Sequence, residues 1–206
     1  MRSALLWQYF CGMTQLVLAS DNAGKIKELK ALLSGVQLLS LSDIGFTQEI
    51  PEPYHTFREN AYTKAHTVHQ FCGKNVLSDD SGLCVDALQG APGVISAHYA
   101  GFPKDNTANL QKVLQELQGQ TNRAAHYIAV LCLIWQGQVY YFEGRCYGTI
   151  LHEPIGDGGF GYDPLFVPDG YTLTFAQLPA EVKNRISHRA VAMQALQAFM
   201  AQQLTP

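Results

Sequence analysis

Residues 20–25 are the first group of side chains whose types and spacing suggest chemistry. They read Ser-Asp-Asn-Ala-Gly-Lys and join an apolar segment to one with helical periodicity. A junction between a strand and a helix directs free backbone N–H groups and the positive helix end at one point, which favours a phosphate group. Gly24 permits close approach and Lys25 adds a positive charge, although the segment is not a Walker A loop. A helix cap at Asn22 with a solvated lysine explains the segment at least as well.

Two adjacent aspartates, Asp79 and Asp80, form the second group. They follow a short apolar strand predicted over residues 76–78, and the carboxyl ends of strands are where open α/β sheets place their sites. Mg²⁺ prefers one or two carboxylates together with water and phosphate oxygens. Glu52, which stands between two prolines, is a candidate for a further carboxylate. A turn at the two aspartates and an exposed acid at Glu52 are the alternatives.

A glycine-rich segment over residues 156–164 is the third group. Its glycines leave backbone N–H and C=O groups bare, and the rings of Phe160 and Tyr162 offer surfaces on which a planar base can stack. This composition predicts a ligand-binding loop. The alternative is a flexible hairpin loop whose two aromatic rings lie in the core.

The fourth group comprises Lys183 and the segment Ser187-His188-Arg189. Ser187 is expected to cap the last helix, which puts Arg189 in the first helical turn, where the helix dipole disfavours a cation. An anion or a hydrogen-bond acceptor is therefore expected beside Arg189. A lysine and an arginine that are merely exposed are the alternative.

The elements that must position these groups are strands and helices that alternate along the first part of the chain. Apolar runs predict strands, and i, i+3, i+4 spacing of apolar residues predicts helices. Strands are expected over residues 15–19, 76–78, 125–135, 139–150 and 165–167, and helices over residues 24–34, 56–71, 105–118 and after Ser187. A predicted hairpin at residues 136–138 interrupts the alternation, so the expected fold class is α/β with a mixed sheet.

The composition is that of an ordinary globular chain and excludes some classes of function. The 206 residues carry a formal net charge of −3 and no run of lysine or arginine, so nucleic acid is not an expected partner. No apolar run approaches the ~20 residues of a membrane span. The five scattered cysteines are typical of free thiols in a reducing cytoplasm. Residues 1–12 are expected to be a disordered or peripheral extension, and residues 13–206 a single domain.

Six segments in this order resemble the inosine triphosphate pyrophosphatase family. They read SDNAGK, FRENA, SDDSG, GAPGVISAHYAG, GGFGYDP and ISHR, and the resemblance extends over residues 16–198. It implies Mg²⁺-dependent hydrolysis of non-standard purine nucleoside triphosphates, such as those of inosine, deoxyinosine and xanthosine, to the monophosphate and pyrophosphate. It also implies an elongated mixed α/β fold with a central substrate cleft between two lobes, a homodimer, and a role in cleansing the nucleotide pool.

The resemblance assigns substrate contacts to individual residues. Carried over onto this sequence, the family's substrate-binding positions are Ser20, Asp21, Asn22, Ala23, Gly24, Lys25, Ser81, Phe160, Gly161, Tyr162, Asp163, Lys183, His188 and Arg189. Residues 20–25 resemble the triphosphate-binding loop and residues 160–163 the base-binding loop. Lys183 resembles a second phosphate lysine, and residues 188–189 resemble the pair that reads the base.

The resemblance also identifies Glu52 and Asp80 with the metal ligands, and Asp80 with the catalytic base. The chemistry fits these residue types, because attack at the α-phosphate requires neutralised charge and a water molecule placed in line. Mg²⁺ with Lys25 and Lys183 can neutralise the charge, and Asp80 can orient and deprotonate the water. A pyrophosphatase for other modified or standard nucleotides is one alternative. A nucleotide-binding regulator without turnover is another, but it has no need of a water-activating acid.

Overall fold

The computed structural model describes residues 15–33 and 36–203. The extension expected over residues 1–12 lies outside these ranges. The strands are β1 (Gln15–Ala19), β2 (Gln37–Leu39), β3 (Asn75–Val85), β4 (Ala124–Trp135), β5 (Gln138–Ile150) and β6 (Phe166–Pro168). The α-helices are α1 (Ala23–Leu32), α2 (Phe57–Cys72), α3 (Asn106–Glu116), α4 (Ala180–Ile186) and α5 (His188–Gln203). The mixed sheet with flanking helices that the sequence predicts is confirmed.

The strands of the described chain form one six-stranded sheet in the order β2-β1-β3-β4-β5-β6. β1 is parallel to both β2 and β3, whereas β5 and β6 are antiparallel. The predicted hairpin joins β4 to β5 through Gln136 and Gly137, whose φ angles are 51° and 77°. Positive φ at both turn residues is typical of the type I′ turns that match the twist of antiparallel strands. Parallel pairing therefore dominates one side of the sheet and antiparallel pairing the other.

β3 is longer than the sequence analysis predicts. The expected strand over residues 76–78 continues as far as Val85, so Asp79 and Asp80 lie inside a strand and not at its end. The prediction was wrong because Asp, Ser and Gly favour turns locally. Here Leu83 and Val85, both completely buried, keep the segment extended. The predicted strand and helix set also lacked β2 and α4, which are too short to produce a clear period.

The chain divides into two compact units. Unit 1 takes its described residues from Met1–Asp80, Val130–Glu143 and Ala192–Pro206, and unit 2 comprises Ser81–Ala129 and Gly144–Val191. The single domain, the elongated shape and the cleft between lobes stay predictions. The four cysteines of the described chain are free thiols, as expected. In the same ranges, no helix combines the length and the hydropathy that crossing a membrane requires.

Arg123 holds together the end of β5 and the end of α3 in unit 2. Its Nε donates to the Ile150 carbonyl at 2.7 Å and its NH2 to the Leu151 carbonyl at 2.6 Å. A third, longer bond of 3.4 Å reaches the carbonyl of Leu117, directly after α3. The residue is 9% exposed. Carbonyl groups left without a donor at a buried position are costly, so this side chain stabilises unit 2 well away from the predicted site residues.

Arg123→Ala should lower the free energy of unfolding by about 3 kcal/mol, because it leaves buried carbonyl oxygens unsatisfied. Arg123→Lys should recover only part of this loss, since one ammonium group cannot reproduce the planar fork of the guanidinium. Urea unfolding of the three proteins provides the comparison. Equal stability of the Ala variant and the wild type would contradict the assignment.

Candidate active site

The loop between β1 and α1 is a capped helix start. Asn22 is the N-cap of α1, and its Oδ1 accepts hydrogen bonds from the N–H groups of Gly24 at 3.0 Å and Lys25 at 3.2 Å. The hydroxyl of Ser20 accepts from the N–H of Asn22 at 3.3 Å. The predicted cap at Asn22 is therefore confirmed, whereas the solvated lysine of the same alternative is wrong, because Lys25 pairs with Asp79. Phosphate binding by residues 20–25 stays a prediction, and the positive end of α1 remains compatible with it.

Lys25 ties this loop to β3. Its ammonium lies 2.8 Å from Oδ1 of Asp79, whose side chain is completely buried. The parallel register explains the contact, because Ala19 at the end of β1 lies opposite Ser78. The loop that follows Ala19 therefore lies beside Asp79, which follows Ser78. The structure brings together two groups that the sequence analysis found separately.

Lys64 connects the second aspartate to the predicted metal ligand Glu52. Its Nζ lies 2.9 Å from Oδ1 of Asp80 and 2.9 Å from Oε1 of Glu52. Asp80 and Lys64 are buried, whereas the side chain of Glu52 is 43% exposed. The hydroxyl of Ser78 donates to the Ala61 carbonyl at 2.6 Å and fixes α2 against this part of β3. Two predicted acids and an unpredicted lysine therefore form one cluster in unit 1.

The sequence analysis missed Lys64, although a signal was present. The buried residues of α2 are Asn60, Ala61, Lys64, Ala65 and Val68. These positions follow i, i+4 and i, i+3 spacing, so they share one face of the helix. A lysine in a buried stripe of this kind needs a counter-charge, which is the observation that points to a site.

The protonation of Asp80 is set mainly by burial, which raises its pKa to about 6 even though Lys64 and Lys25 oppose the shift. Burial also disfavours the Lys64 ammonium, but the carboxylates of Asp80 and Glu52 outweigh it and raise the pKa of Lys64. Burial acts to raise the pKa of the more exposed Glu52, but Lys64, together with Lys25 and the side chain of Asp80, outweighs burial and the pKa is lowered. The cluster therefore holds an ammonium, an ionised Glu52 and an Asp80 that titrates near neutral pH.

The two acids fit a cation that retains most of its own water. Oδ2 of Asp80 is buried and has no hydrogen-bond partner within the described chain, and a carboxylate oxygen left in this way is suited to a metal ion. Across residues 15–33 and 36–203, no three His, Cys, Asp or Glu side chains converge as a metal-binding group. Glu52 and Asp80 together match the one or two carboxylates by which Mg²⁺, unlike Ca²⁺, is usually held in proteins.

Asp163 organises the glycine-rich loop of unit 2. Its Oδ2 accepts from Lys183 Nζ at 2.6 Å and from the Phe160 N–H at 2.7 Å. Gly159 has a φ of 71°, and a Cβ there would collide with the Asp163 carboxylate, so glycine is required. Lys183 also lies 5.0 Å from the centre of the Phe160 ring, within cation–π range. The structure thus brings the predicted base-binding loop and the predicted phosphate lysine together.

Tyr162 is a core residue and not a stacking surface. It is 3% exposed, belongs to the hydrophobic core of unit 2, and donates from its hydroxyl to the Ser96 carbonyl at 2.8 Å. The prediction that both rings offer a stacking surface was wrong for this residue, because its position beside the core apolar residues Leu165 and Phe166 draws it inward. Of the two rings, the half-buried Phe160 is the one that a base can reach.

Arg189 has the acceptor that its position predicted. Ser187 caps α5, with its hydroxyl accepting from the Ala190 N–H at 3.1 Å, so Arg189 lies in the first turn. Arg189 is 1% exposed, and its NH2 donates to the Ser81 hydroxyl at 2.9 Å. The preceding His188 stacks on Tyr127, with ring centres 4.7 Å apart and planes 10° apart. The alternative of an exposed arginine is excluded.

The chain and its fold resemble those of known proteins. The sequence profile of the Ham1 family matches residues 16–199. The chain belongs to the Ham1 family. It is 46% identical over 186 residues to the dITP/XTP pyrophosphatase of Flavobacterium psychrophilum, covering 90% of this chain and 98% of that protein. It is 50% identical over 185 residues to the protein of the same name from Desulforamulus reducens, covering 87% and 92%. The Ham1 protein of Staphylococcus aureus superposes with a TM-score of 0.85 at 37% identity, covering 92% of this chain and all (100%) of that one.

Lys64→Met should destabilise the protein, and more so at pH 8 than at pH 5. Without the ammonium, the pKa of Asp80 rises further above its unfolded value, so the folded state is favoured by protonation and loses stability as the pH rises through that pKa. Thermal midpoints at both pH values measure the effect, with the exposed Lys27→Met as the matched control. An equal deficit at both pH values would contradict the charge cluster.

Proposed function

We propose that this protein hydrolyses non-standard purine nucleoside triphosphates, those of inosine, deoxyinosine and xanthosine, to the monophosphate and pyrophosphate with Mg²⁺. Membership of the Ham1 family and the names of the relatives support the reaction. The observation that carries the proposal is the buried Asp80, with one oxygen on Lys64 and the other without a hydrogen-bond partner in the described chain. A nucleotide-binding regulator would not need such an acid.

Glu52 and Asp80 are the residues that would hold Mg²⁺. When bound, the ion neutralises phosphate charge and polarises the phosphoryl oxygens. Asp80 orients the attacking water and accepts its proton, a role for which burial has moved its pKa to about 6, close to neutral pH. Lys64 keeps the two carboxylates together before a metal ion arrives. Its ammonium lies 2.9 Å from each of the two carboxylates.

Residues 20–25 and Lys183 are proposed to bind the phosphate groups. The helix start at Ala23 and Gly24 directs the positive end of α1 at an anion, and Lys25 adds an ammonium that is 14% exposed. Asp21, in the same loop, is exposed. Lys183 contacts Asp163 at 2.6 Å, so a phosphate group would compete with that carboxylate for the ammonium.

Phe160, His188 and Arg189 are proposed to bind the base, with Gly161 allowing the loop to turn at a φ of 63°. Phe160 can stack on any purine, which gives affinity but little selectivity. Arg189 offers only donors, and these suit the 6-oxo group of hypoxanthine and xanthine but not the 6-amino group of adenine. Ser81 fixes the guanidinium at 2.9 Å. The homodimer that the family resemblance implies and the cytoplasmic location that the scattered cysteines indicate are part of this proposal.

Asp80→Asn should lower kcat for inosine triphosphate by roughly 100-fold or more, a typical loss for a general base. The variant preserves the shape of the side chain but not its charge or its ability to accept a proton. Steady-state assays with excess Mg²⁺ measure the change. Asp105→Asn is the matched control, because Asn still caps α3; its turnover should equal that of the wild type. Near-normal turnover in a folded Asp80→Asn protein would refute the role.

The wild type should prefer inosine triphosphate to adenosine triphosphate by about 10⁴-fold in kcat/KM, since adenine leaves a buried donor unpaired. Arg189→Ala should reduce this ratio sharply, and Ser81→Ala, which removes the acceptor that fixes the guanidinium, should reduce it less. A panel of nucleoside triphosphates also tests the alternative that other modified or standard nucleotides are the substrates. A wild type that treats both nucleotides alike, or a ratio unaffected by Arg189→Ala, would refute the proposal.

A further inference from the structure

The segment that carries Glu52 has neither regular secondary structure nor burial to fix its position. Residues 46–56 form neither helix nor strand, and residues 51–56 are exposed. Pro51 and Pro53 flank Glu52 and have no N–H group to donate. A carboxylate on such a segment would sample many positions unless other side chains fixed it, and a metal ligand must be held in place to bind well.

The side chain of Asn60 fixes the backbone of this segment. Its Oδ1 accepts from the Tyr54 N–H at 3.0 Å, and its Nδ2 donates to the Tyr54 carbonyl at 3.0 Å. The N–H and the carbonyl of Tyr54 are therefore both bonded to the planar amide of Asn60. This pair of bonds restricts both translation and rotation of the Tyr54 backbone. Asp lacks the donor and Ser lacks the second polar atom, so neither can form this pair. Asn60 is 1% exposed, which protects the bonds from water.

Asn60 and Lys64 lie four residues apart on the buried face of α2. This spacing places them one above the other on the helix. Lys64 contacts the carboxylate of Glu52 at 2.9 Å, while Asn60 holds the backbone two residues further along at Tyr54. Pro53 joins the two anchored points, and its fixed φ limits the slack between them. One rigid helix thus holds both the side chain and the main chain of the metal-ligand segment.

We propose that Asn60 is a positioning residue for Glu52, and that its amide sets the distance between Glu52 and Asp80 at which both carboxylates can bind one divalent cation. The inference rests on the proposed role of Glu52 as a metal ligand. Asn60 touches neither the nucleotide nor the metal ion; it acts through the backbone of residues 52–54. Its loss should therefore weaken metal binding more than the chemical step.

Asn60→Ala should raise the Mg²⁺ concentration for half-maximal turnover of inosine triphosphate by about 10-fold, the usual effect of removing a group that orients a metal ligand. The kcat at saturating Mg²⁺ should stay close to the wild-type value. A second readout needs no turnover: Mg²⁺ alone raises the thermal midpoint of a protein that binds it, and this rise at a fixed Mg²⁺ concentration should be smaller in the variant.

Asn109→Ala is the matched control for stability. Asn109 is also buried, at 3% exposure, and its amide bonds the backbone of a loop: Oδ1 accepts from the Ala100 N–H at 2.7 Å and Nδ2 donates to the Ala97 carbonyl at 3.0 Å. It lies on α3 in unit 2, whereas Glu52 and Asp80 lie in unit 1. Asn109→Ala should lower the thermal midpoint but leave the Mg²⁺ dependence unchanged. An equal Mg²⁺ shift in both variants would show a general effect of instability and would overturn the inference.

Pro53→Gly tests the same connection without touching the core, since Pro53 is exposed. It keeps the Asn60 bonds and loosens their link to Glu52, so it should also raise the Mg²⁺ requirement. This variant gives a result even if Asn60→Ala does not fold. An unchanged Mg²⁺ requirement in folded Pro53→Gly would count against the connection.

Glu52→Gln separates failure of this inference from failure of the proposed function. If Glu52→Gln raises the Mg²⁺ requirement and Asn60→Ala added to it has no further effect, the two residues act as one unit. If Glu52→Gln alters both Mg²⁺ readouts and Asn60→Ala alters neither, the positioning role is overturned while the metal site stands. If Glu52→Gln alters neither readout, the metal assignment of Glu52 fails, and the role of Asn60 fails with it.

Discussion

The ammonium of Lys64 lies 2.9 Å from a carboxylate oxygen of Asp80 and 2.9 Å from one of Glu52, at a place where two negative charges alone would not tolerate burial. This contact joins α2 to β3. Ser78 attaches β3 to the Ala61 carbonyl, and the next side chain on the same face of the strand is that of Asp80. The lysine offsets enough of the repulsion for Asp80 to stay in a strand whose composition favours a turn. The arrangement leaves one oxygen of Asp80 without a hydrogen-bond partner in the described chain.

A second ion pair, between Lys25 and Asp79, joins the start of α1 to β3. Successive side chains of a strand project to opposite faces, so Asp79 and Asp80 are each in direct contact with a different lysine. Lys25 serves Asp79 at 2.8 Å, and the parallel register of β1 and β3 places the helix start of α1 beside it. In unit 2 a comparable pairing, Lys183 with Asp163, closes the glycine-rich loop. Three of the predicted functional segments, those of Lys25, Asp79-Asp80 and Asp163, are thus held by an ion pair with at least one fully or largely buried partner.

The sequence predicts much of this architecture and misses its central contact. Caps, apolar periodicity and turn residues gave α1, α2, α3 and the β4–β5 hairpin with small errors at their ends, because these signals are local. The signals failed where tertiary burial overrides local preference: β3 continues through Asp79-Asp80-Ser81-Gly82 because Leu83 and Val85 are drawn into the core. The ring of Tyr162 was expected to offer a stacking surface, because a glycine-rich composition does not reveal which rings pack into the core. Lys64 could have been predicted from the buried stripe of α2, and Asn60 with it. Their partners at residues 52–54 could not, because no periodic signal relates a loop to a helix face.

In the proposed reaction, water attacks the α-phosphorus of the triphosphate and pyrophosphate leaves. The most direct measurement is the identity of the products, followed by phosphorus NMR while inosine triphosphate is hydrolysed with Mg²⁺. Charges spread over the whole leaving group stabilise pyrophosphate as one unit. The account predicts inosine monophosphate and pyrophosphate in equal amounts, with no diphosphate at any time. Inosine diphosphate with orthophosphate as the first products would contradict it.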